Sequence, residues 1–215
     1  MESWDDLYQR EGIILTEPSK HVIELVDLLK EQGVERLLDH CCGTGRHVKY
    51  LADQGFYVVG LDNSQEAIAQ AQELCMDIEN CQLLCSDMAS IPFRDQYFDA
   101  VLSLHGIQFG TKPQRAGAFT EITRTLKGGG YFYFSTLSRN HIMYGKGTLV
   151  EDDPHTFIEI PGLHIGYRHF FDEVELDKCL EKFELIAMDE YRVKPAPESF
   201  FVQELCEWRV LARKK

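Results

Sequence analysis

Polar or glycine-containing clusters follow four apolar runs of the sequence, at the point where each run ends. The first run leads into Asp39-His40-Cys41-Cys42-Gly43-Thr44-Gly45, and the second ends in Asp62. The third leads into Ser86-Asp87-Met88, and the fourth into Leu104-His105-Gly106. In an open α/β sheet, ligands bind outside the carboxyl ends of the strands. The four clusters together therefore predict one ligand-binding crevice at one edge of a sheet.

The residue types in these clusters suit a nucleoside ligand. Gly43 and Gly45 let the backbone approach a ligand closely, and a helix that begins there points free N–H groups at it. The carboxylate of Asp62 can accept hydrogen bonds from both hydroxyls of a ribose. Asp87 can accept from the exocyclic amine of adenine, and the backbone N–H of Met88 can donate to the ring. These residues predict a ligand that contains adenosine.

A dinucleotide is the alternative ligand for such a crevice. Its fingerprint, Gly-x-Gly-x-x-Gly, would need a third glycine at position 48, where the chain has Val48. A whole predicted helix also precedes the loop, whereas a nicotinamide enzyme tends to carry its fingerprint near the start of the chain. A nicotinamide-dependent oxidoreductase is therefore the less favoured interpretation.

Short β-branched runs alternate with amphipathic stretches, which indicates an α/β fold with a doubly wound, mostly parallel sheet and helices on both faces. Ser19, Asn63 and Asp172 are predicted N-caps, and Glu66 follows Asn63 at the spacing of a capping box. Gly128–Gly130 predicts a turn into the fifth strand. The predicted strands cover 36–39, 57–62, 81–85, 98–103, 131–136, 183–193 and 206–212.

No repeat or linker divides the sequence, so residues 1–215 are expected to form a single domain. The alternation of strands and helices breaks from about Leu137 to Tyr167, where glycines and prolines are frequent and periodicity is weak. An irregular insertion of this length in a compact domain is either functional or mobile.

The composition restricts the class of partner. The formal net charge is -13, with 35 acidic against 22 basic residues, and no dense Lys/Arg stripe would attract a nucleic acid. No apolar run approaches the ~20 residues that cross a membrane, and the acidic start does not resemble a secretory signal. The protein is therefore expected to be cytoplasmic and to bind neither membrane nor nucleic acid. The seven cysteines lack paired CxxC spacing, so no metal site is predicted. Nothing in the sequence indicates the oligomeric state.

The sequence resembles the seven-strand, class I, Rossmann-like S-adenosylmethionine-dependent methyltransferases over nearly its whole length. Residues 37–45 resemble the family's Asp-x-Gly-x-Gly-x-Gly loop, and Asp62-Asn63-Ser64 its acidic residue at the end of the second strand. Ser86-Asp87-Met88 and Phe98-Asp99-Ala100-Val101 resemble its third and fourth motifs. Leu126-Lys127-Gly128-Gly129-Gly130 resembles the turn before its fifth strand.

This resemblance implies the strand order 3-2-1-4-5-7-6, with only strand seven antiparallel. It implies that S-adenosylmethionine is the cofactor and S-adenosylhomocysteine its product. Cys41 stands where the family usually has its first glycine, so its Cβ is expected to crowd the ligand. The predicted cofactor-binding residues are Asp39, Cys41, Gly43, Gly45, Asp62, Asn63, Asp87, Met88 and Leu104.

The resemblance also indicates where an acceptor would bind. Residues 1–18 resemble the N-terminal segment that folds over the pocket in small-molecule members, and residues 138–167 match the insertion that often covers the acceptor. Three histidines and two tyrosines in these segments could line an aromatic, partly polar pocket. The predicted acceptor residues are Tyr8, His141, Tyr144, His155 and His164.

Methyl transfer from a sulfonium is an in-line displacement that needs mainly proximity and orientation in a dry pocket. A general base is needed only if the acceptor carries a proton at neutral pH. His105 follows the fourth strand and is the candidate catalytic residue, the alternative being that it only closes the adenine side. The sequence thus predicts methyl transfer to N, O or S of a small molecule. A non-catalytic S-adenosylmethionine-binding partner protein is the main alternative.

Overall fold

The computed structural model describes residues 3–12, 15–162, 166–193 and 205–215. None of the helices in these ranges is long and apolar enough to cross a membrane. The helices are α1 (Trp4–Glu11), α2 (Lys20–Glu31), α3 (Arg46–Asp53), α4 (Gln65–Leu74), α5 (Lys112–Thr125) and α6 (Glu173–Cys179), with a 3-10 turn at Ile107–Phe109. The strands are β1 (Arg36–His40), β2 (Tyr57–Asp62), β3 (Cys81–Cys85), β4 (Phe98–Leu104), β5 (Leu126–Leu137), β6 (Thr148–Leu149), β7 (Thr156–Ile158), β8 (Arg168–His169), β9 (Phe183–Val193) and β10 (Leu205–Lys214).

Seven strands form one sheet in the order β3-β2-β1-β4-β5-β10-β9. Strands β1 to β5 pair in parallel, and β10 is antiparallel to both of its neighbours, β5 and β9. The predicted fold class and strand order are confirmed. Because the chain proceeds from β1 towards β3 and then returns to place β4 on the other side of β1, the order reverses between β1 and β4. This reversal opens a crevice at the carboxyl ends of those strands.

Two apolar layers cover the sheet, one on each face. Leu37 and Leu38 are consecutive in β1 and fully buried, yet they belong to different layers, because side chains alternate across a strand. Leu37 packs in the layer that contains α2, α3 and α4, and Leu38 in the layer that contains α5 and α6. Burial on both faces fixes the register of β1, and with it the position of the polar residues at its end.

The start of α4 differs from the prediction by one residue. Ser64 is the N-cap, and its hydroxyl accepts from the Ala67 N–H at 3.0 Å. Asn63 is exposed, and Glu66 bonds to Gln70 rather than back to a cap residue. The prediction that Asn63 and Glu66 form a capping box was therefore wrong. The Asp62 carboxylate accepts from the Ser64 N–H at 3.0 Å, which extends the turn by one residue before the helix begins.

The fifth strand is longer than predicted. It begins at Leu126, so Gly128–Gly130 lies within the strand instead of forming a turn before it. A Cβ at Gly130 would lie 2.8 Å from the Asp99 carbonyl oxygen, which explains the small residue at this position. The irregularity is confined to the pairing with β4, where the register shifts between Phe98 and Ala100.

The segment 138–167 contains more regular structure than its sequence indicates. Strands β6 and β7 pair with each other, and β7 also pairs with β8, giving a small antiparallel sheet. Phe157, Ile160 and Phe170 are buried together beneath Tyr144. The expectation of a wholly irregular insertion was wrong, because strands of two or three residues are too short to produce a recognisable alternation.

Replacing Ser64 with Ala should lower the free energy of unfolding by about 1–2 kcal/mol, because the α4 N-cap is lost. The Ser64 hydroxyl also donates to the Asp5 carboxylate at 2.5 Å, so α1 should loosen at the same time. Urea unfolding measures the loss, with Asn63→Ala as the matched control. That control should stay within about 0.5 kcal/mol of wild type, and a larger loss in Asn63→Ala than in Ser64→Ala would contradict this assignment.

Candidate functional site

A cavity of roughly 590 Å³ opens at the carboxyl ends of β1, β2 and β4. Its walls come from the glycine loop (residues 41–45), α1, the turn after β4, the start of β10 and the segment 138–167. Among the described residues, no group of three His, Cys, Asp or Glu side chains lies close enough to hold a metal ion. The predicted cofactor residues that line the wall are Cys41, Gly43, Asp62, Asn63, Met88 and Leu104.

Asp62 is the buried carboxylate at the end of β2. Its two oxygens accept from the Gly43 N–H at 2.9 Å and from the Ser64 N–H at 3.0 Å. Burial raises the pKa of Asp62, although both N–H groups act against this by stabilising the charged form. The carboxylate is therefore fixed in the cavity wall between the glycine loop and α4.

The two glycines of the loop have different surroundings. Gly43 has a φ of 54°, and a Cβ there would lie 2.9 Å from the hydroxyl of Tyr8, which reaches over the loop from α1. Gly45 has a φ of 84°, and a Cβ there would lie 2.9 Å from the Cβ of Ala71 in α4. Gly43 thus faces the cavity under Tyr8, whereas the structure brings Gly45 against α4 and outside the cavity wall.

Cys41 adopts a φ of 63°, a left-handed conformation that L side chains rarely adopt. A Cβ on Gly106, after β4, would clash with both Cβ and Sγ of Cys41. The volume that Cys41 adds to the loop is thus accommodated by the missing side chain of Gly106. Burial raises the pKa of the Cys41 thiol well above its ordinary value, which keeps it protonated and unreactive.

Asp39 lies beneath the loop at 1% exposure, outside the cavity wall. Its Oδ2 has no hydrogen-bond partner among the described residues. Burial raises the pKa of Asp39 to about 7, while the Arg46 guanidinium opposes this effect and the Asp62 carboxylate adds to it. A buried acceptor without a donor is unfavourable, so this position suits a cationic ligand group bound at the loop.

On the predicted adenine side, Met88 lines the wall but Asp87 does not. Asp87 is exposed, and its oxygens accept from the Ala89 N–H at 2.8 Å and from the Gln114 amide at 2.7 Å. These bonds turn the carboxylate towards α5, while Ser86 and Gln114 enter the wall. Buried His40 bonds to the Met88 carbonyl at 2.9 Å and positions this turn.

His105 lines the cavity and adopts a φ of 53°. Its Nε2 lies 2.8 Å from the Glu207 carboxylate, and its Nδ1 lies 3.2 Å from the amide nitrogen of Gln108. Burial raises the pKa of Glu207, but the hydrogen bonds and charges of His105 and Arg209 outweigh it and hold this pKa at about 2. The sequence predicted His105 as a candidate and did not predict its ionised partner.

The predicted acceptor residues separate into two groups. Tyr8 and His141 line the cavity. The Tyr144 hydroxyl instead pairs with His155 Nδ1 at 2.7 Å, and neither residue lies in the wall. His164 falls outside the described residues.

The cavity wall also contains residues that were not among the predicted site residues, including Trp4, Phe109 and Arg168. The Arg168 guanidinium lies 4.4 Å from the centre of the Phe109 ring, and Trp4 contacts the same ring edge to face at 4.9 Å. Burial lowers the pKa of Arg168 to about 10, so its side chain is cationic at neutral pH.

The complementarity of Cys41 and Gly106 can be measured by a double-mutant cycle. Gly106→Ala should destabilise the wild-type protein by about 1–3 kcal/mol through overpacking, and by clearly less in a Cys41→Gly background, where the space is free. Urea unfolding of the four proteins gives the coupling. Equal losses in both backgrounds would show that the two positions do not share this space.

Asp39→Asn should raise the free energy of unfolding at pH 8 by an amount on the order of 1–4 kcal/mol. An unfolded aspartate loses its proton near pH 4, whereas folded Asp39 keeps it up to about pH 7. Wild-type stability should therefore fall as the pH rises through this window, and the gain from Asn should be smaller at pH 5. Urea unfolding at both pH values tests this, with the exposed Asp53→Asn as control. An equal effect of Asp39→Asn at both pH values would contradict the expectation.

Comparison with known proteins agrees with this geometry. Residues 38–134, which run from β1 into β5, match the family model described as "Methyltransferase domain". A Schizosaccharomyces pombe protein named 18S rRNA (guanine-N(7))-methyltransferase is 38% identical over 96 residues, which cover 45% of this chain and 34% of that protein. The chain spans about half the length of other curated relatives that it matches.

Solved structures resemble the chain over more than nine tenths of its length. An S-adenosylmethionine-dependent methyltransferase from Methanosarcina mazei has a TM-score of 0.75 at 21% identity, covering 92% of this chain and 98% of its own. A Burkholderia thailandensis 1,6-didemethyltoxoflavin-N1-methyltransferase, solved with bound 1,6-didemethyltoxoflavin and S-adenosylhomocysteine, has a TM-score of 0.64 at 18% identity, covering 98% of this chain and 81% of its own. The chain thus carries a match to the methyltransferase domain over residues 38–134, and its sheet has the fold of the class I, Rossmann-like S-adenosylmethionine-dependent methyltransferases.

Proposed function

We propose that this protein transfers the methyl group of S-adenosylmethionine to a nitrogen, oxygen or sulfur atom of a small molecule in the cytoplasm. The observation that carries the proposal is the buried Asp62 carboxylate, fixed by the Gly43 and Ser64 N–H groups in the wall of the same cavity that contains His105. One cavity thus contains a carboxylate that suits the hydroxyls of a ribose and an imidazole that suits a general base.

The residues at the strand ends suit the parts of the cofactor, which supplies an activated methyl group on a sulfonium. Asp62 and Asn63 would hold the ribose hydroxyls, and Ser86 and Met88 would frame the adenine. The glycine loop would lie along the methionine part. Beneath this loop, Asp39 Oδ2 is buried and has no hydrogen-bond partner among the described residues, so its carboxylate would favour the ammonium group of the cofactor.

The volume of the cavity and the net charge of the whole chain support a small acceptor. The cavity volume lies within the usual range for small-molecule sites, and Tyr8 of α1 extends over the glycine loop. The net charge of -13 opposes a phosphate backbone. Because a curated relative is named for an rRNA substrate, RNA belongs in any panel of acceptors.

The rival function is a non-catalytic S-adenosylmethionine-binding partner protein, and Cys41 in the loop is the observation that favours it. Formation of S-adenosylhomocysteine with a panel of amines, phenols, thiols and a structured RNA separates the two. Turnover with small molecules alone supports the proposal, and turnover with RNA alone contradicts its acceptor class. The nicotinamide-dependent alternative gains no support from the matched domain.

Asp62→Ala should weaken S-adenosylhomocysteine binding by at least about 1 kcal/mol, because a charge-assisted pair to the ribose is lost. Isothermal titration calorimetry measures this, and thermal unfolding checks that the loop remains folded. Asp87→Ala is the matched control, since its carboxylate is exposed and bonded to Gln114. Unchanged affinity in a folded Asp62→Ala protein would remove the basis of the proposed cofactor position.

A further inference from the structure

Glu207 is a carboxylate in the cavity wall that neither the matched domain nor the four strand-end clusters include. It lies at 6% exposure near the start of β10, opposite Leu137 at the carboxyl end of β5. One oxygen lies 2.8 Å from His105 Nε2, and the other accepts from Arg209 at 2.6 Å. The Arg209 guanidinium in turn lies 3.5 Å from the centre of the Tyr191 ring. The carboxylate is thus held in place from the side opposite His105.

These contacts determine which nitrogen of His105 carries the proton. An ionised carboxylate can only accept, so the proton of a neutral imidazole lies on Nε2 and is donated to Glu207. Nδ1 then carries the unprotonated lone pair, which accepts from the Gln108 amide N–H at 3.2 Å until that amide rotates away. Gln108 Oε1 is buried and has no partner within the described ranges, so rotation of this amide would supply an acceptor if Nδ1 became protonated.

The other titratable groups that interact with His105 are His47 on α3 and His141 in the segment 138–167. Burial lowers the pKa of His47 to about 3 and that of His141 to about 4, so both are neutral near pH 7. The charge that faces His105 at short range is therefore the single negative charge of Glu207.

We infer that Glu207 is a positioning residue that holds His105 as the general base for acceptors that are protonated at neutral pH, namely hydroxyl and N–H compounds. This inference rests on the proposed methyl transfer. The acceptor lone pair bonds to the methyl carbon, and the carbon–sulfur bond breaks with its electrons passing to sulfur, which becomes a neutral thioether. The proton of the O–H or N–H passes to Nδ1 of His105. The resulting imidazolium is stabilised by Glu207, and its proton then leaves to solvent.

Three substitutions separate the role of the base from that of its carboxylate partner. Glu207→Gln keeps the shape of the side chain and removes its charge. His105→Asn removes the base and suits the left-handed conformation at this position, because asparagine tolerates positive φ. Glu190→Gln is the matched control: this carboxylate on β9 bonds to Ser138 and Asn140 and does not line the cavity.

In turnover with phenols and N–H heterocycles, His105→Asn should lower kcat about 100-fold, within the range of general base catalysis, and Glu207→Gln about 10-fold. KM and S-adenosylhomocysteine affinity should stay near wild type, as should all values for Glu190→Gln. In the His105→Asn background, Glu207→Gln should have no further effect. Equal losses in both backgrounds would overturn the inference, as would full activity of His105→Asn.

A measurement without acceptor separates failure of this inference from failure of the proposed function. Nitrogen-15 NMR of the imidazoles in the substrate-free chain at pH 8 should show the His105 proton on Nε2. Its exchange with water should be faster in Glu207→Gln and unchanged in Glu190→Gln. A proton on Nδ1 would overturn the inference whatever the acceptor. Absence of turnover with every compound, with the proton found on Nε2, would instead contradict the proposed function and leave the pairing established.

Discussion

The buried carboxylate of Asp62 is the constraint on which the crevice depends. A carboxylate at this depth is unfavourable unless donors satisfy it, and the donors are backbone N–H groups of Gly43 and Ser64. One side chain therefore ties the glycine loop to the start of α4. Ser64 extends the connection, because its hydroxyl donates to Asp5 of α1. The end of β2, the glycine loop and the N-terminal helix are thus positioned around the Asp62 carboxylate and its Ser64 neighbour.

The sheet could be predicted from the sequence because each strand is specified by a short local pattern, an apolar run followed by polar residues, and this pattern repeats along the chain. Consecutive residues such as Leu37 and Leu38 are buried on opposite faces, and polar residues lie at the ends of β1 and β2 and directly after β3 and β4. The α4 N-cap could not be predicted in the same way, since the choice of Ser64 over Asn63 depends on the bond between Asp62 and the Ser64 N–H. The β6–β8 sheet was missed because it consists of strands too short to show periodicity.

The site was predicted less completely than the sheet, because a sequence identifies the end of a strand but not the direction of each side chain. Asp62 and Met88 line the cavity as expected. Asp87 is turned outward by Gln114, and Tyr144 is paired with His155. In each case, the direction of the side chain is set by a hydrogen-bond partner that is distant in sequence or lies in a segment without clear periodicity. Gly45 was predicted as a cofactor residue because glycine tolerates unusual backbone angles. In the structure, its missing side chain instead lets the loop pack against Ala71 of α4.

Glu207 shows a further limit of reasoning from strand ends. The rule that ligands bind at carboxyl ends directs attention to the last residue of each parallel strand. An antiparallel strand reverses this relation, so β10 brings its beginning to the edge where β4 and β5 end. Glu207 and Arg209, two residues apart near the start of β10, could therefore have been identified by looking at the amino end of the antiparallel strand instead of its carboxyl end. His105, in a left-handed conformation that is strained for a non-glycine residue, is then held by Glu207 of the antiparallel strand β10 and by Gln108 of the 3-10 turn after β4. An edge built in this way can pair a histidine with a buried carboxylate that no consecutive motif contains.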